Sequence, residues 1–203
     1  MFALGARSER LFDALAKRWL RLGDISLIAG PDLATTTVEP HEFLDFVGGR
    51  LSRQFVHDGA DLERRLATRA LGPDPDGRHR VNEFFCHADT WQLAMQRLAR
   101  GADVVLMDLR SFSAGNQGCR YELGRLLDSV PLSRVVLLVD AGTNRAFLED
   151  SLQTLWRTLA ADSPNRQLAT PRLRVLSADR AETAVNALPE LLLAAARPGM
   201  AGG

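Results

Sequence analysis

The chain has 203 residues, 46% of them hydrophobic, and its 25 Lys plus Arg balance 25 Asp plus Glu. That length suits one domain, or one domain plus trimmings, with a real core. A formal net charge of zero excludes a whole-domain attraction to nucleic acid or to an acidic membrane surface.

The opening "FALG" reads as the end of a buried strand whose beginning is missing, with a glycine turn behind it. On this reading the chain is the soluble portion of a longer, membrane-anchored parent. "MFALGARSER" itself lacks the apolar run of a signal peptide, and no stretch approaches the roughly twenty apolar residues of a membrane span. The expected compartment is therefore the cytoplasm, where Cys86 and Cys119, which have no zinc-type spacing, stay as free thiols.

From Ser8, a natural cap, Leu11, Leu15, Trp19 and Leu22 recur at helical spacing until Gly23. Ile25 to Ala29 form a strand closed by Gly30-Pro31. "HEFLDFVGGRLSRQFV" reads as a helix weakened at Gly48-Gly49, and "DLERRLATRAL" as a second, charged helix. "GPDPDGRHR" is a turn-rich surface loop and "VNEFFC" a short strand. "DTWQLAMQRLARG" is amphipathic, capped by Asp89 or Thr90, with Trp91, Ala94, Met95 and Leu98 inward.

"ADVVLMDL" and "SRVVLLVD" are continuous apolar runs, as in strands covered on both faces, and "CRYELGRLLDSV" between them is a helix. "NRAFLEDSLQTLWRTLA" is a helix with Phe147, Leu148, Leu152, Leu155, Trp156 and Leu159 inward. "LRVLSA" is the last strand, and "ETAVNALPELLLAAA" the last helix, kinked or broken at Pro189. Residues 198–203 form a flexible tail.

Alternation of strand and helix predicts an α/β fold: a doubly wound, five-stranded parallel sheet in the flavodoxin-like order 2-1-3-4-5. It forms a single domain over 1–197, with residues 35–85 as a helical and loop insertion after strand 2. A cleft in such a sheet lies beyond the carboxyl ends of strands one and three, where the winding reverses. Those loops offer Arg7, Ser8, Asp108, Arg110, Ser111, Ser113 and Asn116. The helix that opens at Gly118 adds backbone N–H groups suited to an anion. Glu122 lies one turn from its start, at the edge of the sheet-facing stripe Cys119, Leu123, Leu126, Leu127 and Val130. A border position can aim a carboxylate at a ligand. An acid in a first turn is equally what the helix dipole favours with no function at all.

"ARGADVVLMDLRSFSAGNQGCRYELGRLL" resembles the central segment of Toll/interleukin-1 receptor (TIR) homology domains, bacterial TIR-like ones included. In that family an apolar third strand leads to a Ser-bearing loop and a helix opening with Trp-Cys-x-x-Glu-Leu. Cys119, Glu122 and Leu123 match in register, and Gly118 stands in place of the Trp. The resemblance is strongest over 88–140 and extends to 1–34. It implies one of two functions. Many members cleave NAD as a substrate, releasing nicotinamide, and the matched Glu122 would act on the nicotinamide ribose. Arg7, Ser8, Asp108, Arg110, Ser113 and Asn116 would then hold the rest of the dinucleotide. Other members are non-enzymatic scaffolds that self-associate or join other TIR-like domains. No cofactor and no metal is implied.

Three further groups have plainer explanations. Cys86 and His87 are sequence neighbours that rarely point at each other, and Asp89 serves as a cap. His41, His57 and His79 lie in polar loops or helix flanks, and Trp19, Trp91 and Trp156 on apolar helix faces. Asp108 and Asp140 end strands and could hold Mg²⁺, but no third acid ends strand one.

Overall fold

The computed structural model describes residues 6–29, 55–179 and 181–197, with side chains for 11–28, 55–179 and 185–197. The fold is α/β, and the described strands pair as two parallel sheets of three. The chain divides into two compact units, Met1–Leu98 and Ala99–Gly203.

The first unit opens with α1 (Ala6–Trp19), which buries Leu11, Leu15 and Ala16 along one face. After it come β1 (Ile25–Ala29), β2 (Phe55–Val56), α2 (Gly59–Thr68) and β3 (Val81–Cys86), and α3 (Trp91–Gly101) begins here. The sheet order is β1-β3-β2, with Ile25 opposite Val81 and Phe55 opposite Phe85. Parallel neighbours require a crossover, and α2 supplies it between β2 and β3. Asp58 caps α2 by accepting from the N–H of Asp61. The core gathers Val56, Leu62, Phe84, Cys86 and Ala94, with Ile28, Leu66, Trp91 and Leu98 packed against it.

The second unit holds β4 (Val105–Asp108), α4 (Gln117–Ser129), a 3₁₀ turn (Leu132–Arg134), β5 (Val135–Val139), α5 (Arg145–Arg157), β6 (Arg174–Ser177) and α6 (Ala181–Ala196). Its order is β4-β5-β6. The central β5 is buried at all five positions, whereas β6 alternates half-buried and exposed. Each Val or Leu sealed in β5 contributes about 1.5–3 kcal/mol relative to exposure. Gly124 lets α4 approach α5 closely: a Cβ there would stand 2.9 Å from Leu155 Cδ2. Asn165 finishes α4 from a distance. Its Nδ2 donates to the carbonyls of Leu127 (2.6 Å) and Val130 (2.7 Å), and its Oδ1 accepts from Leu132 N–H. Pro189 lies inside α6 without ending it.

Several expectations change. The described pairings form two three-stranded sheets, with no five-stranded sheet among the described residues, and "VNEFFC" is the central strand of the first, with a neighbour on either side. In the expected helical insertion at 35–85, residues 55–56 and 81–85 belong to strands, with α2 between them. Val56, Phe84 and Cys86 are apolar enough to be sealed in a core, and that burial outweighs the charged surroundings. Arg7 and Ser8, expected in a loop, fall within the first turn of α1, which begins at Ala6, a strong helix former. "FALG", most of the helix read at 41–56 and the tail at 198–203 lie outside the described residues. The surface loop "GPDPDGRHR" is well tied. Gly72 and Gly77 take positive φ, Arg80 pairs with Asp74, and Asp24 accepts from the N–H groups of Gly72 and Arg80.

Candidate functional site

The carboxyl end of β4 turns into a loop whose polar groups are matched one to another. Leu109 N–H donates to Leu138 O at 2.7 Å and extends the ladder by one residue. Beyond it, Asp108 accepts from Arg110 through Nε (2.9 Å) and Nη2 (2.6 Å), and from the Arg110 backbone N–H (3.0 Å). The bidentate carboxylate raises the guanidinium's affinity for its proton. Ser111 then takes φ of 60°, a left-handed conformation that costs a serine about 1 kcal/mol.

What holds Ser111 there is Asp140, at the end of β5. This carboxylate is only 7% exposed. Its Oδ1 accepts from the N–H groups of Ser111 (2.9 Å) and Gly142 (3.0 Å). Thr143 Oγ1 accepts from Asp140 N–H and lies 2.9 Å from Leu109 O and 3.2 Å from Asp140 Oδ1, so its single proton serves one or the other. Asn144 N–H donates to Phe112 O at 2.9 Å. Position 142 is tight: a Cβ there would stand 3.0 Å from Ser111 Oγ and 3.3 Å from Asp140 Oδ1. The two strand-end loops are thus stitched together, and neither aspartate stands as the bare oxygen ligand that Mg²⁺ prefers. Among the described residues no group of three or more His, Cys, Asp or Glu could hold a metal.

Asn116 precedes α4 but does not cap it with its side chain. Its Oδ1 instead accepts from Ser113 N–H (2.8 Å) and Ser113 Oγ (3.1 Å), closing the loop on itself. The first turn of α4 carries no acid. Glu122 sits in the second turn, so the helix dipole alone does not account for it. Nor does it lie at the border of the buried stripe: it is 7% exposed and belongs to the buried set with Cys119, Leu123, Leu126 and Leu127. Burial pushes the Cys119 thiol up to about 12.

Asp108 and Arg110 are therefore together, as are Ser113 and Asn116, all on the segment that leads into the helix of Glu122. Arg7 and Ser8 belong to the first unit, and their side chains are outside the described residues. A cavity of about 380 Å³ opens at the amino ends of β5 and β6, lined mainly by Leu127, Leu132, Leu152, Trp156 and Leu173. Glu122 does not line it. Sequence reasoning missed the Asp140–Gly142–Thr143 clamp. Its signal was "DAGTN" directly after a buried strand, where Asp, Gly and Asn each favour a tight turn. No family model, no curated protein and no solved structure matches the chain.

Proposed function

We propose that the chain is a TIR-like α/β module that cleaves NAD to nicotinamide and an ADP-ribose product, with Glu122 as the catalytic carboxylate. The observation that carries this reading is the position of Glu122: a carboxylate withdrawn from water, on the helix that opens beyond the carboxyl end of a strand in a parallel sheet. Breaking the bond from nicotinamide to ribose builds positive charge on the sugar, and a carboxylate in poorly solvated surroundings stabilises that charge far better than one in water. The loop of Asp108, Arg110, Ser113 and Asn116 would hold the rest of the dinucleotide. A cytoplasmic location belongs to the same proposal.

The test is nicotinamide release from NAD by concentrated protein. The wild type should turn over, and Glu122→Gln, nearly isosteric, should lose at least about a hundredfold in rate. Matched thermal melts of the two proteins separate loss of chemistry from loss of fold. Turnover that survives the substitution removes Glu122 from the mechanism.

A second reading is an assembly module without turnover, acting through self-association or through other TIR-like domains. The closed Asp108–Arg110 and Ser113–Asn116 pairs favour it, since groups already bonded to one another have less to offer a substrate. It predicts no nicotinamide at any protein concentration, together with concentration-dependent association in sedimentation.

A further inference from the structure

His57 and His87 immediately follow the paired strands β2 and β3. The register runs Phe55 opposite Phe85 and Val56 opposite Cys86, so the next pair in line is His57 and His87. Neighbouring parallel strands lie about 4.8 Å apart, and positions two residues apart share a face. One face thus carries four rings in a block. Phe55 stacks on His87 at 4.6 Å and lies 6.0 Å from Phe85, and the two imidazole centroids are 6.0 Å apart.

Both backbones are pinned. His57 N–H donates to Asp61 Oδ2 at 3.1 Å, and His87 N–H to Thr90 Oγ1 at 3.0 Å. Thr90 Oγ1 in turn donates to Val56 O, which ties the end of β2 to the start of α3. The rings themselves make no hydrogen bond or ion pair among the described residues. The nearby acid Asp61 is committed to Arg64 and Arg65. An imidazole nitrogen's lone pair lies in the ring plane, so stacking on Phe55 orients His87 without using that lone pair.

We propose that His57 and His87 form a two-imidazole site for a first-row divalent transition metal, Zn²⁺, Ni²⁺ or Cu²⁺, at the carboxyl edge of the first sheet. Imidazole suits these ions, whereas Mg²⁺ and Ca²⁺ seek oxygen. With metal–nitrogen bonds near 2.0–2.1 Å, two rings on one tetrahedral ion stand about 5 Å apart between centroids. The exposed ring of His57 covers the remaining ångström by a change of χ angles. Two protein ligands leave positions for solvent or a small anion.

The experiment is calorimetric titration of tag-free protein with NiCl₂ and ZnCl₂, with MgCl₂ alongside. One saturable site is expected for nickel and zinc and none for magnesium. His57→Gln and His87→Gln should each weaken binding at least about tenfold, and His41→Gln should not. Melts without metal report whether each variant folds. Should His87→Gln unfold, His57→Gln carries the test, together with the two-nitrogen hyperfine pattern of bound Cu²⁺. The proposal is overturned if wild type shows no saturable site, if magnesium binds equally well, or if His57→Gln binds unchanged.

Discussion

The carboxyl edges of the two sheets treat their polar groups in opposite ways. At the end of β4 and β5, Asp108 pairs with Arg110, Asp140 with Ser111 and Thr143, and Asn144 N–H with Phe112 O, and these bonds fix two loops. At the end of β2 and β3, the backbones are pinned just as firmly, yet among the described residues the ring nitrogens of His57 and His87 take no hydrogen-bond partner. The difference teaches where stability and reactivity part. A buried carboxylate such as Asp140 needs every donor around it, because a charge withheld from water is costly unless hydrogen-bonded. An imidazole at a half-exposed edge keeps contact with water and can wait for a ligand at little cost.

That contrast can be probed through the two thiols, one in each unit. Burial pushes Cys86 up to about 11 and Cys119 up to about 12, against about 8.5 for a free cysteine. In folded protein both should resist alkylation at pH 8, reacting at least about a hundredfold more slowly than in urea. Mass spectrometry at rising urea would show which thiol is freed first, and simultaneous labelling would mean that the two units unfold as one.

Asp140→Ala should cost the second unit about 3 kcal/mol in urea unfolding, since it strands the N–H groups of Ser111 and Gly142 and frees Thr143. A loss below about 1 kcal/mol would mean that water replaces the clamp. Gly142→Ala should cost about 1–3 kcal/mol by crowding Ser111 Oγ. Ser111→Gly, which relieves the left-handed strain, should be neutral or stabilising by up to about 1 kcal/mol.

A smaller effect depends on pH. Burial alone would raise the Asp61 carboxyl, but His57 N–H, Arg65 and Arg64 outweigh it and hold the group below its ordinary value. A depressed carboxylate stabilises the fold above its unfolded pKa, about 3.9, and that contribution fades as pH falls through the lower folded value. Asp61→Asn should flatten this part of the acid limb in melts between about pH 2 and 5. The smallest change is expected for His57→Gln without metal, within about 0.5 kcal/mol of wild type. A large loss there would show that the imidazole is structural and erase the contrast between the edges.

Local pattern was enough for many elements. Helical spacing identified α1, α3 and α5, and the apolar run of β5 announced a strand sealed on both sides, as its five buried positions bear out. The same logic overestimated β4, where only Met107 is fully buried, because a run of apolar letters does not say how many neighbours a strand has. A two-residue strand such as β2 has no period to read. The depth of Glu122 escaped the helical wheel, which fixes a direction but not how much protein lies along it.

The sequence by itself determined the α/β class, the order of most elements, the absence of a long apolar span and the loop that leads into the helix of Glu122. Those properties depend on periodicity, composition and turn chemistry within some fifteen residues of chain. Only the tertiary structure decided that β3 is a central strand, that Asp140 clamps the loop of Ser111 from 29 positions away, and that two histidines 30 residues apart meet in register. Pairing and burial are set by which distant segments can satisfy one another's backbone and exclude water together, and no local window contains that information.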